Sequence, residues 1–234
     1  MQVQSNIRMQ PVKQTSAAAK SWAAKSWIDG RETEKSGAFE LMGAPMTFNR
    51  NAEIYGEDEP AEYLYKLVSG AVRTYKVLAD GRRQIGAFYL AGDVFGLESG
   101  NQHAFSAEAI GEARVLVVKR SALESGASRD GAIAQQLWTI TAGELRRAQE
   151  HLLTLIKTAE ERVVGFLLEM AGRMSAGNQI ELPMSRQDIA DYLGLTIETV
   201  SRTMTHLESA AAIELPSSRR VVLRNRATLS RLNG

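Results

Sequence analysis

The run Met184-Ser185-Arg186-Gln187-Asp188-Ile189-Ala190-Asp191-Tyr192-Leu193-Gly194-Leu195-Thr196-Ile197-Glu198-Thr199-Val200-Ser201-Arg202 holds two short helical patterns separated by a glycine. Ser185-Arg186-Gln187-Asp188 sets a hydroxyl and a carboxylate three residues apart, close to a capping box, in which each side chain satisfies an amide at the helix start. It opens a helix whose apolar side is Ile189, Ala190 and Leu193. Gly194-Leu195 makes the turn. Thr196 then caps a second helix that runs to about Ser209, with Val200, Met204 and Leu207 at i, i+4 and i+7.

With Glu198 taken as zero and about 100° per residue, Arg202 falls at about 40°, Ser201 at about 300° and Thr205 at about 340°, whereas Val200, Met204 and Leu207 lie between about 180° and 240°. Polar and apolar faces are therefore opposed. Arg can donate bidentately to guanine O6 and N7, Glu can accept from cytosine N4, and hydroxyls adapt to either, so Glu198, Ser201, Arg202 and Thr205 form a base-reading surface. The same residues would also suit a solvated face with a Glu198 to Arg202 ion pair. The capped helix before them and the glycine turn favour the reading surface.

Downstream, Ile213-Glu214-Leu215-Pro216, Ser217-Ser218 and Arg219-Arg220-Val221-Val222-Leu223 read as a hairpin wing. Arg219, Arg220, Arg224, Arg226 and Arg231 follow Glu214 with no further acid, so positive charge gathers where phosphates could be met. Upstream, Ala159 to Met174 forms a helix with Val163, Phe166, Leu167 and Met170 on one face, ended by the small polar run Ser-Ala-Gly-Asn.

From Gly131 to about Lys157 there is no proline, and Trp138, Thr141, Leu145, Ala148, Leu152 and Leu155 recur at alternating spacings of three and four. A helix of about 40 Å needs a partner along its length. A small roll offers too little surface, so pairing with its own copy across a two-fold axis is expected, the alternative being a helix packed only on its own domain.

Between about Phe39 and Lys119 the texture is short apolar alternations cut by turn signals, as in Tyr63 to Val68, Ser69-Gly70 and Ala71 to Leu78. Asp80-Gly81 signals a two-residue hairpin, and Ala91-Gly92-Asp93 punctuates the next run. Several short strands at turn spacing mean an antiparallel roll. Residues 1–28 carry four cations and no acid, and Ala-Ala-Lys-Ser-Trp occurs twice, at 18–22 and 23–27. That composition superficially matches a transit peptide, but a five-residue period fits neither helix nor strand, and a mobile arm is expected. The expected organisation is an arm over 1–38, a roll over 39–130, a dimerisation helix over 131–158 and a winged helix-turn-helix over 159–234, an α+β fold.

The chain has 234 residues, no Cys, and 28 basic against 27 acidic residues for a formal net charge of +1. Without Cys there is no disulfide framework, thiolate zinc site, cysteine-ligated iron-sulfur cluster or cysteine nucleophile. His103, His151 and His206 are too scattered to suggest a metal cluster, and haem ligation by His103 or His151 alone is an open but unsupported alternative. No stretch approaches the length of a membrane span, and a cytoplasmic location is the default. Nucleotide-binding glycine loops and the Gly-x-Ser-x-Gly elbow are absent, so no enzyme is expected.

Met184 to Arg202 resembles the DNA-binding signature of the CRP/FNR family of bacterial transcription regulators, and its Glu-x-x-Ser-Arg core resembles the FNR and FixK branch. The likeness covers about residues 40–230. It implies a cyclic-nucleotide-binding-type roll, a long dimerisation helix and a winged helix, acting as a homodimer on a palindrome of the TTGA…TCAA kind. Arg202 would read the guanine of each half-site while Glu198 and Ser201 contact neighbouring bases. Ser185, Arg186, Thr196, Thr199, Thr205 and His206 would serve the DNA backbone or support the reading head. The resemblance also places an RNA polymerase contact on the hairpin at Asp80, Gly81 and Arg82, which by themselves read as a tight turn.

Departures from the family pattern bear on the effector. Members that bind cyclic AMP hold the ribose with Gly-Glu and the phosphate with Arg-Ser. Here Gly96 precedes Leu97, and no Arg or Lys occurs between Gly92 and Arg114, so a cyclic phosphate meets no cation in that stretch. FixK-like members without a bound cofactor match best, and no cofactor is expected. The alternative is a regulator gated by an unidentified small effector in the roll.

Overall fold

The computed structural model describes residues 37–174 and 177–233. The expected arm lies outside them except for Gly37 and Ala38, and Ala38 is buried at the start of a short helix, α1 (Ala38–Met42). Eight strands follow: β1 (Ala44–Phe48), β2 (Glu53–Tyr55), β3 (Tyr63–Ser69), β4 (Ala71–Val77), β5 (Arg83–Leu90), β6 (Val94–Phe95), β7 (Ser106–Ala109) and β8 (Ala113–Lys119). They form two antiparallel sheets, ordered β1-β8-β3-β6 and β2-β7-β4-β5. Tyr65, Leu67, Phe95 and Val115 from the first sheet and Tyr55, Val72, Tyr89 and Ala107 from the second bury one shared core. The apolar alternation in the sequence is the inward half of this roll.

The β4–β5 hairpin differs from the two-residue turn expected at Asp80-Gly81. Gly81 N–H donates to Leu78 O at 2.9 Å and Leu78 N–H to Arg82 O at 2.8 Å, so the loop between them is Ala79-Asp80-Gly81. Gly81 has φ +81°, the left-handed residue that lets a type I turn rejoin a twisted ladder. The dipeptide marks the turn correctly, but its length is fixed by the strand register, which pairs Val77 with Arg83.

After α2 (Arg120–Ala127), Asp130 caps α3 (Gly131–Leu155) by accepting from Ala132 N at 2.8 Å. Ile133, Leu137 and Ile140 of α3 pack on Phe39, Leu64, Val118 and Leu123. None of the 25 residues of α3 is buried, and Trp138, Leu145 and Leu152 keep 71%, 60% and 65% of their surface exposed.

The C-terminal region comprises α4 (Ala159–Arg173), β9 (Gln179–Glu181), α5 (Arg186–Leu193), α6 (Ile197–Ser209), β10 (Ile213–Glu214), β11 (Arg220–Leu223) and α7 (Arg226–Leu232). Its small sheet has the order β10-β11-β9. Strand β9, with one buried residue, Ile180, is too short to show as alternation in the sequence. Val163, Phe166, Leu167 and Met170 of α4 pack with Ile189, Leu193, Val200, Met204 and Leu207. Ile85 and Phe88 of the roll belong to the same cluster, so the apolar core continues from the roll into the helix-turn-helix. The α+β architecture read from the sequence, a roll, a long helix and a winged helix-turn-helix, is the observed one.

Candidate nucleic-acid interface

The reading head begins at a capping box. Ser185 Oγ accepts from Asp188 N at 3.1 Å, and Asp188 Oδ2 accepts from Ser185 N at 3.0 Å and from Ser185 Oγ at 2.8 Å. Helix α5 stops at Gly194, whose φ of +62° is a left-handed C-cap that an L side chain adopts only with strain. Two residues later Thr196 Oγ1 accepts from Thr199 N at 3.2 Å and starts α6. The chain thus changes direction within one tight turn and presents α6 across α5.

On α6, Val200, Met204 and Leu207 are fully buried, whereas Glu198, Ser201, Arg202, Thr205 and His206 are exposed. Arg202 makes no hydrogen bond or salt bridge among the described residues, so its donors are turned outward rather than spent on Glu198. The carboxyl of Glu198 is held below its ordinary value by its own amide N–H and the Thr196 hydroxyl, with Arg202 adding to the effect. It is an acceptor at neutral pH. His206 lies 3.8 Å from Glu160, and Thr199 Oγ1 is 3.1 Å from Thr196 Oγ1.

Two of the residues assigned to the DNA backbone face the protein. Ser185 is half-buried and its hydroxyl is engaged with Asp188. Arg186 donates from Nε to Ser218 O at 3.3 Å, its Nη1 is buried without a partner, and burial lowers its pKa. In the wing, Arg219 donates to Pro183 O at 2.8 Å and Arg224 pairs with Glu214, while Arg220 is exposed. The positive charge counted in the sequence is therefore partly committed inside the domain.

Sequence reading missed what lies behind α5. Asp188 Oδ1 accepts from Arg73 Nη1 at 2.9 Å and from Arg83 Nη2 at 2.6 Å, both guanidinia coming from the roll. Burial disfavours the charged carboxyl, but Ser185, Arg73 and Arg83 outweigh it and hold its pKa below the ordinary value. These partners are 105 and 115 residues away in the chain, beyond any local pattern.

Known proteins with these features are regulators. Residues 161–232 match the family model of the Crp-like helix-turn-helix domain, and residues 45–130 that of the cyclic nucleotide-binding domain. The nitrogen fixation regulation protein FixK of Azorhizobium caulinodans is 55% identical over 198 residues, covering 82% of this chain and 80% of that protein. FixK of Rhizobium meliloti is 39% identical, covering 85% and 92%. The solved structure of FixK2 from Bradyrhizobium japonicum superposes with a TM-score of 0.80 at 54% identity, covering 83% of this chain and 98% of that one. The chain belongs to the CRP/FNR family. It is a FixK-type transcription regulator with a DNA-binding helix-turn-helix, and the proteins it matches are regulators rather than enzymes.

A cavity of about 490 Å³ lies between the roll, α3 and α4, lined in part by Gly96, Leu97, Glu98, Arg147 and Arg173. Its cations come from the helices and are already paired: Arg147 with Glu144 and Asp93, Arg173 with Asp93 and Glu169. Glu98 accepts from Ala104 N at 3.2 Å and lies 3.5 Å from His103. With every cation committed and Leu97 after Gly96, the residues do not fit a cyclic phosphate. No group of three His, Asp or Glu among the described residues is placed to hold a metal, and no described helix is long and apolar enough to cross a membrane.

Of the residues assigned to the dimer seam, Trp138, Thr141, Leu145, Ala148 and Leu152 lie exposed on α3, while Leu155 is half-buried and turned toward Gly194 of its own chain. At the hairpin, Asp80 and Arg82 are exposed and pair with each other, Nε to Oδ2 at 2.7 Å. Gly81 forms the turn between them.

Proposed function

We propose that this regulator is a cytoplasmic, homodimeric transcription activator that reads a TTGA…TCAA palindrome without a cofactor. Arg202 donates to the guanine of each half-site and Glu198 and Ser201 contact neighbouring bases. Thr199, Thr205 and His206 touch phosphates, while Ser185, Arg186 and Thr196 support the head. The observation that carries the reading is α6 itself, with one face sealed into the core and Arg202 on the other with no hydrogen bond or salt bridge among the described residues.

Dimerisation through α3 is supported by Trp138, Leu145 and Leu152, three large apolar side chains one heptad apart and exposed in the single chain. Two-fold pairing sets the recognition helices in successive major grooves about 34 Å apart. RNA polymerase is met at the hairpin of Asp80, Gly81 and Arg82. The relatives named for nitrogen fixation regulation suggest that physiological setting. The domains act as read from the sequence, the roll over 39–130 supporting, the helix over 131–158 pairing and 159–234 reading DNA.

The cavity of about 490 Å³ favours a second reading, in which a small uncharged effector enters beside α3. Fluorescence anisotropy of the purified protein with no added ligand separates the two. Tight, salt-sensitive binding to the palindrome over a scrambled duplex is expected. Equal weak binding to both duplexes would contradict the cofactor-free reading.

A further inference from the structure

The reading head is not carried on a free tether. One carboxylate, Asp188, caps α5 with one oxygen and holds two roll guanidinia with the other. Arg83 also donates from Nε to Asp191 Oδ2 at 2.8 Å, and Arg73 from Nη2 to Glu108 Oε1 at 2.8 Å. Gln187 Nε2 steadies Asp191 at 2.6 Å from its other oxygen. The side chains are largely withdrawn from water, with 4% exposure at Asp188, 11% at Arg73 and 12% at Asp191.

A guanidinium offers donors in a rigid plane, so each such pair fixes orientation as well as distance. Two planes on adjacent strands, β4 and β5, meeting two carboxylates one helical turn apart on α5, leave little freedom of rotation between roll and helix. Beneath them the ring of Tyr192 packs on Phe88 of the roll at 5.1 Å and stacks on His151 of α3 at 4.0 Å. Because α6 follows α5 after one glycine turn, whatever orients α5 orients the reading helix.

We propose that Arg73 and Arg83 are positioning residues for DNA recognition: clamped on Asp188 and Asp191, they hold each recognition helix at a fixed angle to the roll and so set the separation between the two heads of the dimer. This rests on the homodimer and palindrome reading above. The clamp is built wholly from the chain's own residues.

The test measures anisotropy of the full chain on three duplexes: the palindrome, the palindrome with two base pairs inserted between half-sites, and a single half-site. The wild type should prefer the palindrome to the inserted duplex by about tenfold or more, since a rigid pair of heads must match groove spacing. Arg83→Ala, which leaves Asp188 its bonds from Ser185 and Arg73, should lose about tenfold on the palindrome and most of the spacing preference, with half-site binding little changed. Its slope of log affinity on log salt should stay that of the wild type, because Arg83 touches no phosphate.

Asp191→Asn, close in shape and less disruptive to folding, should shift in the same direction by a smaller factor. An unchanged spacing preference in both variants would overturn the proposal. So would an equal loss on all three duplexes, which marks general damage, or a slope shallower by about one, which marks a direct phosphate contact. A wild type that does not distinguish the palindrome from a scrambled duplex would instead overturn the DNA reading on which the proposal stands.

Discussion

At the residue scale, Asp188 and His151 show how burial makes side-chain charge matter. The Asp188 carboxyl titrates below its ordinary value in the folded chain, so the stability it contributes is complete above that ordinary value of 3.8 and is lost as pH falls below it. Asp188→Asn should flatten the fall of the urea midpoint between about pH 4 and pH 3 relative to wild type. His151 is lowered by burial against Tyr192, so its neutral form is favoured in the fold and stability declines as pH falls through the ordinary histidine value of 6.5. His151→Phe preserves a ring on Tyr192 and should remove part of that decline. His103, also lowered by burial although Glu98 opposes it, acts in the same direction. A pH profile unchanged by the substitution would contradict the assignment.

The residues proposed to read bases were legible because a helix repeats every few positions, so apolar periodicity fixes which polar groups face out. The capping residues Ser185 and Thr196 were legible for the same local reason, since a cap acts within three residues of itself. Arg73 and Arg83 were not. They meet Asp188 only after the roll has folded, and no pattern within a strand marks an arginine as destined for a distant helix. Arg186 illustrates the converse, a cation at the motif's entrance that the wing's Ser218 carbonyl turns inward.

At the element scale, α3 is the informative case. Its heptad spacing was plain in the sequence, yet a straight helix drifts about 20° per heptad, or about 50° over the span from Trp138 to Leu155, which adds to the ordinary offset between the two seam rows, and Leu155 reaches its own chain. The remaining seam is exposed, and a helix with no buried residue is poorly explained by its own domain. Leu145→Asp should convert the dimer to a monomer in sedimentation velocity and reduce palindrome binding to that of a half-site, while circular dichroism keeps its helical signal. A dimer that persists would remove α3 from the interface. The hairpin at Gly81 makes a smaller point: Asp-Gly marks where a ladder reverses, but the number of residues in the loop follows from strand pairing.

At the scale of the whole molecule, a near-neutral chain conceals a division of labour between charge kept inside and charge presented outside. Arg73, Arg83, Arg147 and Arg173 are committed to carboxylates where the roll meets the helices, whereas Arg202 and Arg220 face out. The apolar core shared by Ile85, Phe88, Phe166 and Tyr192 makes roll and reading head one packed body, so heat or urea should unfold both in a single transition. Two separated transitions, followed by near-ultraviolet circular dichroism and by DNA binding, would contradict that continuity.

The outward face of α6 is proposed to read DNA through Arg202, with no small molecule required. Competition anisotropy on the palindrome and on duplexes with the half-site guanine replaced, using wild type and Arg202→Ala without added ligand, tests it most directly. The wild type should lose about 1 to 3 kcal/mol for each replaced guanine, and Arg202→Ala should bind the original palindrome that much more weakly per half-site and no longer distinguish it from the replaced one. A variant that still prefers the guanine would contradict the claim.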